Sequence, residues 1–83
     1  MEGENLQGLV EFIARSLVDD PSEVKVNKYQ RGSTIQLELN VSKEDMGRVI
    51  GKSGQVANAI RTLLKVAAAR EGQQVNLDIV EPY

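Results

Sequence analysis

The chain has no cysteine, no histidine and no tryptophan, and its aromatic content is one phenylalanine and two tyrosines. Without cysteine there is no disulfide framework and no thiolate nucleophile, which suits a reducing compartment and sets the expectation of a cytoplasmic protein. Without histidine the commonest general base is gone, and with it most transition-metal sites. Carboxylates, lysines, hydroxyls and two tyrosines remain, and no recognisable catalytic constellation gathers them. The expectation is a protein that is not an enzyme and that takes no metal or cofactor. No apolar run approaches the roughly 20 residues of a membrane span, so no membrane partner is expected. The start, Met1-Glu2-Gly3-Glu4, is acidic and does not read as a secretory or mitochondrial leader.

Charge is also short on one sign, with 10 basic against 12 acidic residues and a net charge of −2. The distribution says more than the sum. Residues 43–70 hold Lys43, Arg48, Lys52, Arg61, Lys65 and Arg70 against only Glu44 and Asp45. The remainder is strongly acidic. Either solvated helix faces carry a chance excess, or one basic surface stands on an acidic body as an electrostatic footprint.

Eighty-three residues make one small domain, expected to span 1–83. Leu6, Leu9, Val10, Ile13 and Leu17 recur at helical spacing and predict an amphipathic helix over about 5–18, with Phe12 and Val18 widening its stripe into the core. Asp19-Asp20-Pro21 ends it. Val24–Tyr29 alternates, Gln30–Ser33 reads as a turn, and Ile35, Leu37, Leu39 and Val41 alternate with polar residues in the clearest strand of the chain. The two strands predict an antiparallel hairpin. Ser42-Lys43-Glu44-Asp45 has capping-box spacing ahead of a short helix carrying Met46, Val49 and Ile50. Val56, Ala59, Ile60, Leu63, Leu64 and Ala67 mark a long helix over about 54–70, and Gly72 is its expected stop. Val75, Leu77 and Ile79 close the chain as a third strand. The order α-β-β-α-α-β predicts an α+β fold: a three-stranded mixed sheet covered on one face by three helices. The strand–helix–helix–strand stretch is long enough for its two strands to pair in parallel.

Between the last two helices stands Ile50-Gly51-Lys52-Ser53-Gly54. One reading is a plain helix–helix turn, with glycines chosen for positive φ. A second is a nucleotide phosphate loop. Gly47–Ser53 is one residue short of that motif and follows a helix instead of a strand. The third takes the glycines as room for a bulky ligand at the head of the long helix, where the first amides are unsatisfied and the dipole is positive. Lys52 adds a charge at the tip, Arg48 and Arg61 supplement it, and Val49 and Ile50 offer an apolar platform. That describes a sugar-phosphate backbone passing the loop with its bases on a shallow groove.

These residues, in this element order, resemble the K-homology (KH) domain in its type II, bacterial arrangement. The stretch GRVIGKSGQVANAIRTLLKVAAA further resembles the small bacterial family of free-standing single-KH RNA-binding proteins. In KH domains the G-x-x-G loop clamps about four single-stranded nucleotides. The resemblance implies an RNA interface of Arg48, Val49, Ile50, Gly51, Lys52, Ser53, Gly54, Gln55 and Arg61. Ala57 stands where many KH domains have a larger aliphatic residue. KH grooves do without the strand aromatics that RRM or OB-fold readers need, in keeping with the three rings here. Phe12 is read as core. Tyr29 is left open between core edge, surface and groove, and Tyr83 between a frayed tail and a partner contact. Implied partners are single-stranded RNA, a second copy in a homodimer, and a larger KH protein of the Jag type. The family's RNA-chaperone role and its link to cell-wall synthesis and cell shape come with the resemblance. The rival is a dimerisation or ribosome-docking module that does not bind RNA, and single-stranded DNA fits the loop as well as RNA does.

Overall fold

The computed structural model of the chain describes residues 3–81, so the readings placed on Met1, Glu2 and Tyr83 lie outside the described residues. Helix α1 (Gly3–Leu17) leads into a 3₁₀ turn that opens on Pro21. Strands β1 (Lys25–Arg31) and β2 (Thr34–Asn40) form the expected antiparallel hairpin, with Arg31 opposite Thr34 and Gly32-Ser33 between them. A 3₁₀ turn (Lys43–Asp45) precedes α2 (Met46–Ile50), and another (Lys52–Gly54) joins it to α3 (Gln55–Ala69). Strand β3 (Gln74–Val80) pairs with β2 in parallel, from Thr34 beside Gln74 to Asn40 beside Val80. The sheet order is β1-β2-β3, so β3 is an edge. This is the α+β, mixed-sheet architecture of a KH domain.

Period-two alternation decides which face is dry. Ile35, Leu37 and Leu39 of β2 are fully buried, flanked by Val24 and Val26 on one side and Val75 and Leu77 on the other. All three helices lie over this face, with Leu6, Val10 and Ala14 from α1, Val49 from α2, and Ile60, Leu64 and Ala68 from α3 completing one core. At the end of α3, the Gln73 N–H donates to the Ala68 carbonyl (2.9 Å) and the Gly72 N–H to the Ala69 carbonyl (3.1 Å). This is the Schellman pairing that a glycine stop provides.

Helix phase departs from the sequence reading in two places. Phe12 does not join the core, since 71% of it is exposed. At 100° per residue, the buried line Leu6–Val10–Ala14 puts position 12 on the opposite face. In α3 the buried stripe is Ala57, Ile60, Leu64 and Ala68, rotated from the expected one. Ala59 faces solvent, and Leu63 and Val66 are 55% and 54% exposed.

Candidate nucleic-acid interface

Asp45 anchors the approach to the loop. Its carboxylate is buried and accepts the backbone N–H groups of Asp19 and Asp20 (both 3.1 Å) and the Ser42 hydroxyl (3.0 Å). Arg48 Nη1 donates to the same carboxylate at 2.9 Å, and its Nη2 pairs with Asp19 at 2.9 Å. The Asp19 N–H, with those of Asp20, the Ser42 hydroxyl and Arg48 behind it, holds the Asp45 carboxyl below its ordinary range against the opposing cost of burial. The expected capping box is therefore not formed. Ser42 bonds to Asp45, and Asp45 ties the end of α1 to the start of α2. Arg48, expected to lend its charge to RNA, pairs with two carboxylates while its side chain stays 47% exposed.

The loop itself is a tight turn. Gly51 has φ +76°, Ser53 φ +57° and Gly54 φ +76°. The N–H of Gly51 donates to Gly47 (2.9 Å), that of Gly54 to Gly51 (3.2 Å), and that of Gln55 to the Lys52 carbonyl. Lys52 and Ser53 form the tip of this turn, ahead of the first residue of α3. Lys52, Ser53 and Gln55 are exposed.

The two glycines do different work. A Cβ at Gly51 would run into the side chain and backbone nitrogen of Val56, so this glycine lets α2 and α3 close together. A Cβ at Gly54 would find its nearest neighbour, Asn58 Nδ2, at 3.8 Å. That is an ordinary van der Waals contact, so only the left-handed backbone asks for glycine there.

Beside the loop, Val49 is fully buried. Its side chain builds the core and offers no surface to a base, contrary to expectation. Ile50 and Val56 are half-buried and pack on the core's rim. Arg61 lies about 9 Å along α3 from Gln55, at 1.5 Å per residue. Its Nε donates to the Leu77 carbonyl (3.1 Å) and its Nη1 to Asn58 (3.4 Å). It therefore sits at the β3 edge and not at the loop.

The structure adds an element that sequence reasoning missed. A hollow of about 350 Å³ runs between α3 and the β3 edge, walled by Arg61 and Lys65 on one side and Asn76 and Asp78 on the other. A neighbouring hollow of about 310 Å³ continues it past Lys65 and Gln73. Because the Leu77 carbonyl points outward to Arg61, the backbone groups of Val75, Leu77 and Ile79 face the unpaired edge. The spacing of Arg61 and Lys65, one helical turn apart, was the available signal. Among the described residues, no group of three or more acidic side chains is placed to hold a metal, and no helix is long and apolar enough to cross a membrane.

The family model for the KH domain of KhpA/KhpB matches residues 7–79. The chain is 52% identical to the RNA-binding protein KhpA of Clostridium perfringens over 90% of its length and all of that protein. It is 49% identical to the protein of the same name from Clostridium acetobutylicum, with the same coverage. A KhpA from Borreliella burgdorferi is 47% identical over 88% of this chain and 89% of its own.

Proposed function

The chain belongs to the KhpA/KhpB KH-domain family, and on that premise we propose that it binds single-stranded RNA through the Gly51–Gly54 loop, without catalysis. The observation that carries this reading is the exposed Lys52-Ser53 tip at the head of α3, held in a left-handed turn. The N–H groups of Lys52 and Ser53 and the Lys52 ammonium grip phosphates. Ile50 supports a base beside them. Arg61 and Lys65 continue the positive field along α3, and the free edge of β3 presents backbone donors and acceptors to base edges.

A four-nucleotide grip with few cations gives an affinity on the order of micromolar, so useful binding calls for linked sites. A homodimer, or a heteromer with a KhpB/Jag-type KH protein, supplies them. Exposed Leu63 and Val66 on α3 offer apolar surface for such a contact. On this reading the protein is a cytoplasmic RNA chaperone or post-transcriptional regulator, tied to cell-wall synthesis and cell shape through its family resemblance.

Fluorescence anisotropy with short single-stranded RNA tests the reading. The unaltered chain is expected to bind, more weakly as salt rises. The double variant Lys52→Asp, Ser53→Asp is expected to lose binding while folding normally, because acids are tolerated at a helix N-terminus. Undiminished binding by that variant would remove the loop from the interface. No binding by either protein would favour a docking module.

A further inference from the structure

The sheet face turned away from the helices carries an aromatic ring that the groove does not account for. Strand alternation sends Tyr29, Arg31, Gln36 and Asn76 to this face. In register, Tyr29 lies beside Gln36 and Gln36 beside Asn76, so one row across the sheet reads ring, amide, amide. Arg31 begins the next row. Tyr29 is 56% exposed, and with Arg31, Thr34 and Gln36 it borders a hollow of about 310 Å³. A π-face, a cation and side-chain amides that both donate and accept are what a stacked nucleotide requires. Gln36 also lines the larger hollow at the β3 edge, with Arg61 and Lys65. The trough beside α3 and the open face are thus continuous around β3.

We propose that RNA held at the loop and along α3 continues around the β3 edge onto the open sheet face, where one base stacks on Tyr29 and the adjoining phosphate meets Arg31. From β3 to β1 the strand crosses two strand spacings, about 10 Å. Glu38 and Asp78 occupy the row on the other side of Tyr29, with Asp78 accepting a hydrogen bond from Gln36 (2.9 Å). Two carboxylates there repel phosphate and keep the backbone on the Arg31 side. This site rests on the RNA-binding reading above and extends its footprint.

The test compares tetranucleotide and decanucleotide single-stranded RNA by anisotropy, with the full chain and its Tyr29→Ala and Tyr29→Phe variants. The longer RNA is expected to bind the unaltered chain more tightly than the tetranucleotide. Tyr29→Ala should lose about tenfold on the longer RNA, on the scale of one base–aromatic stack, and nothing on the short one. Tyr29→Phe should keep the gain. Equal affinity of Tyr29→Ala and the unaltered chain for the decanucleotide overturns the proposal and leaves loop binding intact. Equal losses on both lengths overturn it as well, by placing Tyr29 in the fold or the loop site. If Tyr29→Ala alters sedimentation mass but not RNA affinity, the face binds protein and the proposal fails. Absence of RNA binding by every form removes the loop reading together with this one.

Discussion

Gly51 and Gly54 are the same residue at equivalent positions of one motif, yet substitution separates them. Alanine at Gly54 makes an ordinary contact with Asn58 Nδ2 (3.8 Å) and pays only for a left-handed backbone, about 1–2 kcal/mol. Alanine at Gly51 pays that and also forces Val56 aside, which adds about 1–3 kcal/mol of overpacking. Urea unfolding of the two variants should therefore rank Gly51→Ala clearly below Gly54→Ala in midpoint. Equal midpoints would deny the first glycine its packing role. Arg48 and Lys52 divide in a parallel way. Arg48→Gln breaks the Asp19–Asp45 clamp and should lower the unfolding midpoint with little change in RNA affinity, whereas Lys52→Gln should do the reverse. The same clamp sets an acid limit. The Asp45 carboxyl is held below its ordinary value of 3.8 by the donors around it. Its stabilisation is complete above that value and drains away as pH falls through the lower folded-state value. Asp45→Asn should be less stable than the unaltered chain at neutral pH, and the gap should narrow below about pH 4. Unfolding midpoints across pH 2–7 check this, and a gap that does not narrow would contradict it.

Elements were legible where one periodicity stood alone. Ile35, Leu37 and Leu39 alternate with polar residues, and β2 sits where that pattern puts it, on the centre of the sheet. Helix faces were harder, because α1 and α3 carry more apolar residues than one face can bury. In α3, Leu63 and Leu64 stand side by side, and only packing against the sheet decides which turns inward. Phe12 misled in the same way: it reads as widening the apolar stripe of α1, and its phase turns it outward. The clamp at Asp45 could not be seen, because the two backbone N–H groups it holds lie 25 and 26 residues away in the chain. At the loop, the sequence showed the glycines and the cation but not that Val49 points into the core or that Arg61 reaches the β3 edge. The phase of α3 is testable with two adjacent leucines. Leu64→Ala should cost about 2–5 kcal/mol, and Leu63→Ala within about 0.5 kcal/mol in a monomer. Comparable losses at both positions would mean that α3 is rotated from this arrangement.

At the scale of the whole molecule, the proposed function asks a chain of net charge −2 to bind a polyanion. Arg61 and Lys65 stand together on α3 beside the β3 edge, Lys52 lies exposed at the loop ahead of that helix, and Arg48 pairs with Asp19 and Asp45. For a tetranucleotide on the proposed site, three phosphates met by Lys52, Arg61 and Lys65 predict that log K falls against log salt with a slope of about −2, at roughly 0.7 per phosphate for a single strand. Anisotropy titrations at several salt concentrations measure this. A slope near zero would mean that phosphate contacts do not carry the binding.

The central claim is that the tip amides of the loop hold the nucleic-acid backbone. A ¹H–¹⁵N correlation titration with a single-stranded RNA decamer tests it most directly. The account predicts that the amide resonances of Lys52 and Ser53 shift early and saturably. RNA binding that shifts other resonances and leaves these two in place would contradict it.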